Sequence, residues 1–137
     1  MAVETGDTIA ERYLLNEKLG EDEIKQIRQH PKWGFDFLKR VPGWETAAKI
    51  VLQHHEHFDG NGYPDGTSGS DIQVGARIIA IVDAFISMTS GRADRTTRRT
   101  ALRAVSEINA RKGTQFDPEL VDKFNELLRS EMREGRI

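Results

Sequence analysis

The chain has 137 residues, a formal net charge of -2, ordinary apolar content and no cysteine. That length suits one compact domain able to bury a core without a metal or disulfides, and the missing thiols exclude a disulfide framework and every thiolate-type metal site. The near-neutral charge gives no reason to expect a nucleic-acid polymer as partner, and no apolar run approaches membrane-spanning length or follows a basic leader, so a soluble cytoplasmic protein is expected.

Residues 1–19 have weak periodicity, with Ile9, Tyr13, Leu14 and Leu15 as the strong apolar anchors, and read as an arm or short helix. Gly20 and Asp22 precede a helical alternation through Gln29. Pro31 then opens a second helix, because proline is tolerated in a first turn and not one turn later. His30 lies at that junction. Trp33, Phe37, Leu38 and Val41 recur at helical spacing, which predicts core packing, and Pro42-Gly43 ends the run.

A third helix is predicted over residues 45–55, with Ala47, Ala48, Ile50, Val51 and Leu52 as a wide apolar face implying deep burial. Its end delivers the most informative stretch of the chain, QHHEHFDGNGYPDG, where three of the four histidines, His54, His55 and His57, fall within four positions beside Glu56 and Asp59. Imidazole nitrogen and carboxylate oxygen suit iron, manganese, zinc or nickel. Adjacent histidines on a helix diverge by about 100°, so one ion is awkward for both, which points to a multi-metal centre. A second reading stays open: histidine also suits the last carbonyls of a helix, and a Gly/Asn/Asp-rich turn must follow. Glu56 reads either as a base or ligand orienter, or as a solvated helix acid.

Residues 58–70 form a loop without periodicity, long enough to suggest function. The next helix, over residues 73–88, contains GARIIAIVDAFISM and is the most apolar. Asp83 sits among Ala80, Ile81, Val82, Ala84, Phe85 and Ile86, and a buried carboxylate needs a cation or several donors. It reads as a metal ligand or as a cap for a neighbouring helix. Arg92, Arg95, Arg98, Arg99 and Arg103 form a basic segment that would draw an anion, or serve as a solvated helix face. A helix over residues 97–112 places Ala101, Ala104, Val105 and Ile108 inward and stops at Gly113. Asp117-Pro118 opens the last helix, with Asp as N-cap and a stripe of Leu120, Val121, Phe124, Leu127 and Leu128. Residues 129–137 read as a charged, fraying tail. No strand pattern appears, so the expected fold is all-α, a compact helical bundle.

The set His30-Pro31, HHEHFDGNGYPDG, GARIIAIVDAF, SGRADR and GTQFDP resembles the C-terminal part of the HD-GYP family, bacterial phosphodiesterases acting on cyclic di-GMP. The resemblance covers residues 20–128 and implies a truncated HD-domain-like bundle. It further implies a divalent metal cluster, iron or manganese, with His30, His54, His55 and Asp83 as ligands. Gly62, Tyr63 and Pro64 would shape the nucleotide pocket, with Arg92 and Arg95 gripping phosphate. The chain departs from that family in one large respect: no histidine precedes His30, so the His-Asp pair and the Gly-Lys after it are absent. Ile86-Ser87 replaces Asp-Ala, and Ala93-Asp94 replaces Pro-Tyr between the arginines. The expectation is therefore a degenerate or partial domain of cyclic di-GMP signalling that binds metal, nucleotide or a partner such as a diguanylate cyclase domain, with little or no catalysis. Two alternatives are an active phosphodiesterase whose site is completed by another subunit, as in a homodimer, and a fragment of a longer protein.

Overall fold

The computed structural model describes residues 20–90 and 100–137. Residues 1–19 and Arg92, Arg95, Arg98 and Arg99 lie outside them, so the expectations placed there are not addressed by the fold. The described residues form α1 (Glu21–Ile27), α2 (His30–Leu38), α3 (Glu45–Gln53), a 3-10 turn (Gly69–Asp71), α4 (Val74–Ser90), α5 (Ala101–Ala110) and α6 (Pro118–Arg133). Among them there is no strand, only an isolated bridge between Lys112 and Phe116. The all-helical expectation holds.

Local chemistry explains the boundaries. The α1 start is held by Glu23, whose Oε2 accepts from the Gly20 N–H at 2.9 Å. Pro31 occupies the first turn of α2 and is buried. Thr100 caps α5 by accepting from the Arg103 N–H, and Gly113 follows in the left-handed region at φ +84°, where glycine carries no Cβ penalty. Asp117 caps α6 as expected, its Oδ1 accepting from the amides of Glu119 and Leu120.

Packing proceeds in two blocks joined through α4. In the first, α2 lies on α3 and α3 on α4. Glycines permit the close approach: a Cβ on Gly34 would fall 2.5 Å from Val51 Cγ1, and one on Gly75 would fall 2.6 Å from Ile50 Cδ1. In the second block, α4, α5 and α6 bury Ile81, Ala84, Met88, Ala104, Ile108, Phe116 and Val121, with Phe85 and Phe124 edge-to-face beside them at 5.4 Å. Arg77 fastens α4 to the α6 cap, donating from Nε to the Ile72 carbonyl and pairing through Nη1 with Asp117 at 2.6 Å.

Several burial expectations are corrected. Trp33 is 60% and Phe37 72% exposed, because the face of α2 that meets α3 is the one carrying Gly34, Phe35 and Leu38. On α3, Ala48 is buried while Ala47 faces solvent and Ile50, Val51 and Leu52 are half-buried. Ala101 and Leu127 are exposed as well. The apolar run around Asp83 is not a closed shell: Val82 and Ile86 are each 40% exposed, and Asp83 itself is half-buried. The last helix continues past residue 129 to Arg133, and Arg136 folds back to Glu131 in a two-pronged pair at 2.6 Å.

Candidate metal centre

Two chain segments supply the imidazoles. α3 ends at Gln53, so His54 is its C-cap and His55 lies beyond it. Their ring centroids are 4.0 Å apart, so the two neighbouring side chains do reach a common point. α2 opens at His30 and brings its ring alongside. His30 Nε2 lies 3.3 Å from His54 Nε2 and 3.1 Å from His55 Nε2. The three histidines can each offer a ring nitrogen within 4.8 Å of the others.

The backbone fixes which nitrogen faces inward. His30 Nδ1 lies 2.5 Å from the Ile27 carbonyl and His54 Nδ1 2.5 Å from the Val51 carbonyl. A carbonyl only accepts, so each Nδ1 carries a proton, and in a ring with a single proton Nε2 presents a lone pair. Two lone pairs cannot hydrogen-bond one another; a cation satisfies both. Burial, the largest influence, lowers the His54 pKa and takes that of His55 to about 2, which disfavours a proton in that role. With metal–nitrogen bonds of about 2.1 Å, two ligand nitrogens stand about 3.0 Å apart at a right angle and about 3.4 Å at the tetrahedral angle. The observed 3.1 and 3.3 Å fit ligands of one ion.

Asp83 stands outside this tight group. It projects from α4 within electrostatic reach of His54, whose pKa it raises against the effect of burial. The convergence expected for four ligands is therefore a three-histidine group with a carboxylate nearby.

Glu56 is not a solvated helix acid. It follows the end of α3, is 3% exposed, and accepts the Asp65 N–H on Oε1 at 2.8 Å. Burial raises its pKa, while backbone amides of Asp65, Gly66 and Thr67 pull it back. The loop it meets is folded onto the histidine segment. Gly62 lies so close that a Cβ there would fall 2.3 Å from His57 N and 2.5 Å from the His55 carbonyl oxygen. The Tyr63 N–H donates to that carbonyl at 3.3 Å. Its ring stacks on the His55 imidazole at 5.0 Å and 18°, and the Arg28 guanidinium lies 5.4 Å from the same ring. Pro64 follows through a cis peptide bond. Tyr63, expected in a pocket wall, packs on a histidine. Sequence reasoning missed this and also missed the brace from below, where Phe58 and Asp59 donate to the carbonyls of Gln115 and Thr114 at 3.1 and 2.9 Å. The GTQFDP string was a visible signal without a visible role.

The chain as a whole is similar to known proteins. The HD domain family matches residues 3–120. The cyclic di-GMP phosphodiesterase response regulator RpfG of Xanthomonas campestris is 38% identical over 107 residues, covering 77% of this chain and 28% of the regulator. A cyclic di-GMP phosphodiesterase of Thermotoga maritima is 34% identical over 111 residues, covering 80% and 30%. The crystal structure of a cyclic GMP-AMP-specific phosphodiesterase of V. cholerae, V-cGAP3, superposes with a TM-score of 0.66 at 26% identity, covering 82% of this chain and 26% of that one. The chain spans less than a third of the length of each of these relatives. No helix among the described residues is long and apolar enough to cross a membrane.

Proposed function

Because the chain belongs to the HD-GYP family of HD-domain proteins, we propose that it acts in cyclic dinucleotide signalling as the GYP portion of such a domain. It takes one divalent cation on His30, His54 and His55 and binds a cyclic dinucleotide such as cyclic di-GMP, with little or no hydrolysis from these residues alone. The observation that carries this reading is the pair of inward Nε2 lone pairs, held by backbone carbonyls at ligand spacing. The nitrogen and oxygen donor set is compatible with iron, manganese, zinc or nickel, and the family resemblance points to iron or manganese. Asp83 is the reserve ligand. When bound, the ion would polarise a phosphodiester oxygen of the nucleotide. Tyr63 lines the pocket over His55, and Arg92 and Arg95 are assigned to phosphate by their motif.

Low turnover follows from ligand number. Two-ion phosphodiester hydrolysis needs a clamp on both the attacking and the leaving oxygen, and three imidazoles with one carboxylate cannot hold two ions firmly. A second reading, an active phosphodiesterase completed by another subunit, is favoured by the apolar surface beside the ligands. Ile79, Val82 and Ile86 flank Asp83 on α4, and Trp33 and Phe37 share the His30 side of α2, all of them at least 40% exposed.

Elemental analysis of the full chain purified without chelator, with calorimetry against cyclic di-GMP in Mn(II), tests both. Expected are a single ion that His55→Ala abolishes, nucleotide binding that Arg92→Ala weakens, and at most trace linearisation. Absence of metal above background would sink the proposal, and multiple-turnover linearisation would establish the second reading.

A further inference from the structure

Glu56 lies next to His55, yet it serves the loop. Its buried Oε1 closes a ring of residues 56–65 by accepting the Asp65 N–H at 2.8 Å. Oε2 is buried, and the backbone amides of Gly66 and Thr67 also favour the charged carboxylate. Inside that ring Gly62 rests on the backbone of residues 55–57, and Tyr63 is tied to His55 twice, through its N–H and through its ring.

We propose that Glu56 is a positioning residue, whose carboxylate holds residues 62–67 against the histidine segment and so keeps Tyr63 stacked on His55, fixing the angle at which that imidazole faces His30. The physical reason is economy of contacts. His54 and His30 have their rings oriented by carbonyls at Nδ1, whereas the orientation of His55 comes from the Tyr63 face. Removing the anchor takes away the acceptor that ties the glycine-rich loop back to residue 56. The ring then loses the surface that sets its rotation. The same contact turns Oε1 of Glu56 toward the loop.

That the orientation serves metal capture rests on the proposed function; the orientation itself does not, and the test separates the two. In the metal-free full chain, Glu56→Leu, which removes the acceptor and keeps the bulk, is measured by amide hydrogen exchange and by the NMR shift of the His55 ring protons, which a stacked tyrosine moves upfield. Expected is exchange at Asp65, Gly66 and Thr67 faster by about tenfold or more, about 1.4 kcal/mol, with α5 and α6 unchanged. The His55 ring protons should move downfield toward the position in Tyr63→Leu, which keeps the anchor and lacks the ring current. In Zn(II) titration the same variant should lose about tenfold or more in affinity, as ligand-orienting partners typically do. Glu56→Gln, which keeps an acceptor oxygen and loses the charge, should fall between and serves if the Leu variant does not fold. Unchanged loop exchange, or a loosened loop with the His55 ring protons unmoved, would overturn the proposal. Should the parent protein bind no metal, the functional reading fails while the exchange and ring-shift arms still decide the role of Glu56.

Discussion

Replacing Gly62 by Ala is the sharpest way to ask whether the loop and the histidines form one unit. The added Cβ would lie 2.3 Å from His57 N, 2.5 Å from the His55 oxygen and 2.7 Å from Glu56 C. Ordinary contact begins near 3.4 Å, so the chain must shift by about 1 Å. Overpacking against side chains typically destabilises by about 1–3 kcal/mol, and here every neighbour is backbone, which puts the expected loss at about 3 kcal/mol. Two controls calibrate it. Gly75→Ala meets one side chain, Ile50, first at its terminal Cδ1 at 2.6 Å, which can move by a rotamer change, so it should cost less than Gly62→Ala, about 1 kcal/mol. Gly34→Ala meets the stiff Val51 at 2.5 Å and should fall between. Urea unfolding with a common slope gives the three values, and Zn(II) titration reports the site. If Gly62→Ala unfolds at the same urea concentration as Gly75→Ala and binds metal as the parent does, the reasoning from close backbone approach is wrong.

The His55 pKa, depressed to about 2 by burial, has a pH consequence in the metal-free protein. As pH falls through about 6.5 the unfolded histidine takes a proton that the folded one refuses, so the unfolded state binds more protons and stability declines, by up to about 1.4 kcal/mol per pH unit for this group. Denaturant melts between pH 7 and 5 should show His55→Gln with a shallower decline than the parent; parallel curves would contradict the assignment. Asp117 combines a cap and a mostly buried pair with Arg77 at 2.6 Å, so Asp117→Ala should lower stability by about 3 kcal/mol or more, the cap alone accounting for about 1. A loss under 1 kcal/mol in calorimetry would refute that pairing. Phe116→Ala removes a fully buried ring from the second block and should cost about 3–5 kcal/mol while leaving the Zn(II) affinity of the refolded protein within a factor of a few.

Caps, breakers and periodicity were readable along the chain. Asp117-Pro118 starts a helix, Gly113 stops one, and Pro31 belongs to a first turn, because these effects act within one helical turn of the residue concerned. The histidine cluster and Asp83 were also visible as residue types whose chemistry calls for a cation. Which apolar residues turn inward was not: Trp33, Phe37 and Leu127 have the right spacing and face solvent, since periodicity defines a face without saying what packs on it. Only the tertiary structure brought His30, at the start of α2, against His54 and His55 at the end of α3. It likewise turned Glu56 inward and set Tyr63 on His55, because the direction of a side chain in a loop depends on contacts made many residues away.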